Sequence, residues 1–200
     1  MELQEKEGTH AVNIVLIGMR GAGKSSVSRR LSALTRRPVL STDLLISYEQ
    51  GGLAIPHILA RNGGNWRAFR RLEREVVVKV AKMDQVIIDC GGGVVVDIGN
   101  TGEEIYAHDK IDLLRQKGQI VWLRGEIHRL LEKVQGDANR PALAARESLL
   151  EMMQRRLPFY ERAADRIVDI ENKSRKELAL EILALFPMIP TRRKRQESRS

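Results

Sequence analysis

Gly18-Met19-Arg20-Gly21-Ala22-Gly23-Lys24-Ser25 follows the pattern G-x-x-x-x-G-K-S/T without a mismatch. Those residue types at that spacing make an anion cradle. Glycines let the backbone wrap a polyphosphate with its N–H groups turned inward, and a helix opening at the same place adds the positive end of its dipole. Gly21, Ala22, Gly23, Lys24, Ser25 and Ser26 are the candidate contacts to a nucleotide. Lys24 has the reach for the terminal phosphates, and the Ser25 hydroxyl is placed to ligate Mg²⁺. A chance glycine turn would share the letters but not the context, which is an apolar strand before it and a helix after it. Asp89 ends another apolar run, Val86-Ile87-Ile88. A carboxylate there can hold Mg²⁺ through water beside the phosphates, or it can cap backbone amides at a strand end.

A second group of residues suits a small anionic partner. Arg70 lies in Phe69-Arg70-Arg71-Leu72-Glu73, and Arg156 opens Arg156-Leu157-Pro158-Phe159-Tyr160. Guanidinium forks fix a carboxylate by paired, charge-assisted hydrogen bonds. The plainer alternative for Arg70 is a solvated, salt-bridged helix position, since Arg67, Arg71, Arg74, Glu73 and Glu75 surround it. Arg156 likewise has Arg155 and Arg162 nearby. Gly91-Gly92-Gly93 follows the third strand, where missing side chains let a ligand approach the backbone at the carboxyl edge of an α/β sheet. The stretch 135–146 has no steady period, contains Asn139-Arg140-Pro141, and reads as a mobile flap able to exclude water. Asp43, after Thr42, is able to cap the helix behind it. The four histidines show no metal-binding spacing.

The elements that must position these groups alternate. Ala11–Ile17 is a short, nearly continuous apolar run, as for a buried parallel strand. Helical spacing follows from Lys24 to Leu34, then a short strand at Pro38–Leu40 and short helices over Asp43–Glu49 and Ala54–Asn62. A longer helix from about Trp66 to Met83 has its apolar stripe at Phe69, Leu72, Val76, Val80 and Met83. Val86–Asp89, Gln119–Leu123 and Arg166–Ile170 read as the third, fourth and fifth strands. Between them the periodicity predicts helices over Ile111–Gln116, Glu126–Val134 and Glu147–Ala164, the last kinked or interrupted at Pro158. Ser174 with Glu177 makes a capping box for a final helix to about Phe186. Val96–His108 is polar and reads as an extended loop or small hairpin. The alternation implies an α/β fold with a parallel sheet flanked by helices on both faces.

Composition excludes several classes. With 200 residues, 42% hydrophobic and 30% charged, the chain is an ordinary globular one with a single core. No apolar run approaches the roughly 20 residues a bilayer needs, so no membrane span is expected. Met1–His10 is polar and lacks a secretory pattern. Cys90 stands alone, which excludes an intrachain disulfide and points to a reducing cytoplasm. Half of the formal +8 sits in residues 191–200. With no aromatic residues interleaved there to stack bases, nucleic acid is not an expected partner and the segment reads as a solvated, flexible end.

In the order and spacing of Gly18–Ser25, Thr42-Asp43, Phe69-Arg70, Gly91-Gly92-Gly93, Asn139-Arg140-Pro141 and Arg156–Tyr160, the chain resembles the shikimate kinase family from about Val12 to Leu185. The resemblance implies a three-layer P-loop kinase fold with a five-stranded parallel sheet in the order 2-3-1-4-5 and a mobile lid. It implies ATP with Mg²⁺ as donor, and phosphorylation of a shikimate hydroxyl in aromatic amino-acid biosynthesis, by a soluble cytoplasmic enzyme expected to be a monomer. By the same resemblance Asp43 holds the acceptor hydroxyls and is a candidate for the attacking proton. Arg70 and Arg156 grip the carboxylate, Gly92 within the triplet offers a backbone contact, and Arg140 swings onto the nucleotide phosphates. Residues 1–10, 11–187 and 188–200 are then a flexible start, the kinase domain and a basic tail. Two departures stand out. The family usually has Asp-x-Asp after the second strand, and here the first position is Ser41 while Asp89 replaces a small or hydroxyl residue. The segment Val96–His108 is also longer than usual. Kinases of gluconate or of AMP, and a non-catalytic nucleotide-binding regulator, are the competing readings.

Overall fold

The computed structural model describes residues 12–135 and 149–189. The N-terminal segment, the flap residues 136–146 with Arg140, and the basic run 191–200 lie outside the described residues. In chain order the elements are β1 (Asn13–Ile17), α1 (Lys24–Thr35), β2 (Val39–Ser41), α2 (Thr42–Glu49), α3 (Ile55–Arg61), α4 (Trp66–Ala81) and β3 (Ile87–Asp89). They continue with β4 (Val96–Ile98), β5 (Glu104–Tyr106), α5 (His108–Arg115), β6 (Gly118–Arg124), α6 (Ile127–Gln135), α7 (Leu149–Ala163), β7 (Arg166–Asp169) and α8 (Arg175–Ala184). Five strands form one parallel sheet in the order β2-β3-β1-β6-β7. Counted within that sheet alone, this is the 2-3-1-4-5 order that the resemblance implied.

β1 occupies the centre because four of its five residues are apolar and the fifth, the buried Asn13, has its side chain hydrogen-bonded to Met83 O and the Val86 amide. Ile14, Val15, Leu16 and Ile17 are wholly buried, and each such side chain contributes about 1.5–3 kcal/mol on burial. Parallel pairing sets Leu16 beside Asp89 and Ile17 beside Trp122. The carboxyl ends of β1, β2 and β3 therefore share one rim. From it leave the glycine turn of residues 18–23, helix α2 and the glycine triplet, which is how short local motifs far apart in sequence come to one crevice.

The flanking helices follow their apolar spacing, with instructive exceptions. α4 buries Phe69, Val76, Val77 and Val80, and also Arg70 and Glu73 on the same face. Met83 lies beyond the end of α4 and is 52% exposed, so the stripe stops earlier than periodicity predicts. α7 runs through Pro158 without interruption. The polar segment after the triplet is a hairpin, with Val96 paired to Tyr106 and Ile98 to Glu104. Arg67 on α4 donates to the Gly99 carbonyl at its turn, and Lys110 on α5 donates to the Val96 carbonyl at 2.7 Å. Ile189 is buried with the core, so the folded body extends two residues past 187. No helix among the described residues is long and apolar enough to cross a membrane.

Candidate active site

The turn after β1 is shaped for anions. Gly21 and Gly23 have φ of 85° and 84°, left-handed conformations that a β-carbon disfavours. Helix α1 opens at Lys24, so its first amides face the turn without acceptors inside the helix. Lys24 Nζ donates to the carbonyls of Gly18 at 2.7 Å and Met19 at 3.2 Å, which lays the ammonium across the turn. The amides of Ala22 and Ser26 are bonded to Met19 O and Gly23 O, so these two candidate contacts also shape the turn itself. Arg175, at the start of α8, rests its guanidinium where a side chain on Gly23 would be. No local sequence signal marks that contact. Asp89 shares a hydrogen bond with Ser25 and lies near Lys24 and Arg29. Burial raises its carboxyl above the ordinary value, against the pull of those three neighbours.

One cleft of about 640 Å³ holds both groups of candidate residues. Gly21, Gly23, Lys24, Ser25 and Ser26 line one part of it; Asp43, Arg70, Gly92, Gly93 and Arg156 line another, with Asp89 in the same wall. At two positions of the triplet the structure makes the use of glycine concrete. A β-carbon on Gly91 would collide with the Asp43 carboxylate, and one on Gly93 with the Arg70 guanidinium. Thr42, fully buried, accepts a hydrogen bond from the Gly91 amide at 2.8 Å and ties α2 to the triplet. Burial raises the Asp43 carboxyl, and the nearby charges of Glu73 and Asp89 add to the rise while Lys24 and Arg70 oppose it.

Arg70 is 4% exposed and is not the solvated helix residue that its neighbours in sequence suggested. Its Nη1 donates to Glu73 Oε2 at 3.0 Å, and the same oxygen accepts from Lys110 Nζ at 2.5 Å. Two cations hold the Glu73 carboxyl below the ordinary range although burial pushes it up. Arg70 Nε has no hydrogen-bond partner among the described residues, and the guanidinium carbon lies 5.5 Å and 5.7 Å from the ring centroids of Trp66 and Phe69. Arg156 reaches the cleft from α7 and is paired on another edge with Glu104 of β5. Tyr160, wholly buried and stacked on Trp122, donates to the Gly92 carbonyl, so it braces the triplet as well as packing. Lys110, Glu104 and the Tyr160 hydroxyl carried no recognisable signal in the sequence, because each acts on a partner more than 35 residues away.

A family model described as "Shikimate kinase" matches residues 20–186. The chain belongs to the shikimate kinase family. It is 44% identical over 172 residues to a shikimate kinase of Leptospira biflexa, a match covering 86% of this chain and 94% of the relative. A shikimate kinase of Dehalococcoides mccartyi is 37% identical, with 85% and 90% covered. Among solved structures, shikimate kinase from Acinetobacter baumannii in complex with shikimate has a TM-score of 0.73 at 28% identity, covering 88% of this chain and 93% of that one.

Family membership sharpens the meaning of the Ser41 departure. Ser41 and Asp89 are register partners on adjacent parallel strands, so the carboxylate lost and the carboxylate gained stand side by side at the same rim. Ser41 caps α2 instead, its oxygen 3.5 Å from the Leu44 amide. The Ser25 hydroxyl and Asp89 are hard oxygen donors and fit Mg²⁺ shared with nucleotide phosphates. Among the described residues there is no group of three or more His, Cys, Asp and Glu that could cage a metal alone.

Proposed function

We propose that the protein transfers the γ-phosphoryl group of ATP to a hydroxyl of shikimate, giving shikimate 3-phosphate and ADP. The observation that carries this reading is the single cleft lined by Lys24 and Ser25 at the donor side and by Asp43, Arg70 and Arg156 at the acceptor side. Lys24 and the amides of Gly21, Gly23, Lys24 and Ser25 hold the β- and γ-phosphates. Arg70 and Arg156 take the acceptor's carboxylate and so fix which hydroxyl faces the phosphorus. The acceptor oxygen forms the new bond to phosphorus as the bond to the bridging oxygen of ADP breaks, and Asp43 receives the hydroxyl proton. Its raised carboxyl is closer to the working pH than an ordinary aspartate, as a proton acceptor requires.

Mg²⁺, when bound, would neutralise charge on the phosphates, and Ser25 and Asp89 are the residues that would hold it. Asp89 thus takes the part that the family gives to a carboxylate at position 41. Arg140 is assigned to the nucleotide phosphates by the family resemblance alone. ADP release by the purified full chain, measured with shikimate, gluconate, AMP and no acceptor, tests the reading. Turnover is expected with shikimate only. Equal turnover with gluconate would move the activity to a sugar-acid kinase, and release independent of any acceptor would remove the acceptor site.

A further inference from the structure

The hairpin β4–β5 takes no part in the chemistry above, yet it delivers one side chain to the acceptor side. Glu104 receives a fork from Arg156, Nε to Oε2 at 2.9 Å and Nη2 to Oε1, and it also accepts from Arg155 Nε at 3.3 Å and Nη2 at 3.1 Å. Glu104 and Arg156 are only 14% and 11% exposed, so the fork between them is shielded from the water that weakens surface pairs, whereas Arg155 is 41% exposed. Burial pushes the Glu104 carboxyl up, but hydrogen bonds and charge from Arg156 and Arg155 together hold it below the ordinary range. It is therefore a carboxylate at neutral pH.

Arg156 has two sides. It lines the 640 Å³ cleft and also a second cavity of about 1030 Å³, between α3, α4, α7 and the hairpin. Glu104 lines only the second. The carboxylate thus holds Arg156 from outside the cleft that Lys24, Ser25 and Asp43 line. A guanidinium bonded through Nε and one hydrogen of Nη2 keeps Nη1 and the other Nη2 hydrogen for a second acceptor.

The hairpin is itself pinned. Arg67 binds its turn from α4, the helix that carries Arg70; Lys110 binds Val96; and the Arg162 guanidinium of α7 lies 4.4 Å from the Tyr106 ring centroid. Glu104 is therefore a fixed point rather than a swinging one.

We propose that Glu104 is a positioning residue: it fixes the Arg156 guanidinium so that its remaining donors face the acceptor's carboxylate. The inference rests on the assignment of Arg156 to that carboxylate made above. A long arginine side chain loses rotamer freedom when it grips a ligand, and one already held loses less on binding. The lengthened segment between the triplet and α5 thereby has a task, which is to supply the back support of the acceptor clamp.

The test is steady-state kinetics of the full chain, with shikimate and ATP varied separately, for Glu104→Gln, Glu104→Asp, Arg156→Ala and the double variant Glu104→Gln/Arg156→Ala. Glu104→Gln keeps the shape and removes the charge. It is expected to raise the shikimate KM about tenfold, the size of coupling usual for contacting residues, with ATP KM and kcat within about twofold. Glu104→Asp should recover part of the loss and, if Glu104→Gln does not accumulate as folded protein, carries the test with a smaller rise in shikimate KM alone. In the Arg156→Ala background Glu104→Gln should add nothing. An unchanged or lowered shikimate KM in Glu104→Gln, with Arg156→Ala still impaired, overturns the positioning role. A normal shikimate KM in Arg156→Ala overturns the assignment of Arg156, and the positioning role falls with it.

Discussion

Asp43 serves two opposed demands, and the conflict can be measured. Burial, aided by Glu73, raises its carboxyl, which means that the folded state resists ionisation more than the unfolded one. A raised group contributes stability below its unfolded pKa of about 4 and loses it as pH rises through the folded value. Asp43→Asn removes that loss. Its Tm should exceed that of the unaltered protein at pH 7, and the gap should narrow through pH 4 and close below about pH 3, where the aspartate is protonated in both states. Turnover should go the other way, falling about 10²- to 10⁴-fold, and the acid limb of the unaltered protein's rate profile should lie above the ordinary aspartate range. A kcat close to unaltered would show that Asp43 takes no proton. At Gly93 the argument is steric rather than electrostatic. Alanine there meets the Arg70 guanidinium, so Gly93→Ala should raise the shikimate KM by about tenfold or more while ATP KM holds; the loss is that of a displaced charged hydrogen-bond partner. A matching rise in both would mean that the triplet, not Arg70, had been disturbed.

At the scale of elements, what the sequence reveals depends on how local the cause is. The glycine turn and the opening of α1 are contiguous, and the letters Gly18–Ser25 contain nearly all of their geometry. Most of the sheet was legible for the same reason, since β1, β3 and β6 are built on short apolar runs, while the edge strand Arg166–Asp169 has only Ile167 and Val168 between charged ends. Arg70 with Glu73 was not legible. An Arg–Glu pair three apart looks the same on a wet helix face as in a core, and only Lys110, brought in from α5, makes the buried pair tolerable. Lys110→Met should therefore destabilise the protein by about 3 kcal/mol, since it leaves one cation against Glu73 and frees the Val96 carbonyl; denaturant unfolding gives the value. A change within about 0.5 kcal/mol would mean that Arg70 alone satisfies Glu73. The proposed Mg²⁺ site is also a matter of neighbouring elements. Ser41 and Asp89 belong to different strands, and only the β2–β3 register shows that they adjoin. Asp89→Ser should raise the Mg²⁺ concentration needed for half-maximal rate, and adding Ser41→Asp should lower it again. An unaltered Mg²⁺ requirement in Asp89→Ser would dissociate Asp89 from the metal.

For the whole molecule, charge raises a question that neither residue nor element answers. The chain carries +8, half of it in residues 191–200, and both proposed substrates are anions. Either that excess draws substrates in from a distance, or the cleft's own cations suffice. The grips are local: Lys24, Arg70 and Arg156 all line the cleft. At about 0.15 M salt the Debye length is about 8 Å, so charge farther from the cleft than that is largely screened there; at about 0.01 M it is about 30 Å and distant charge counts. Ile189 is 6% exposed and belongs to the core, which places the safe cut after it. A chain ending at Pro190 should therefore keep kcat and both KM values within about twofold at 0.15 M salt, while at about 0.01 M its kcat/KM should fall below that of the full chain. A loss of about tenfold or more at the higher salt would show that the basic run works at the site by contact, and would favour a role for it in catalysis or in binding an anionic partner. Indifference at both salts would place the steering field entirely in the folded body, where the clamp and the cradle already concentrate it.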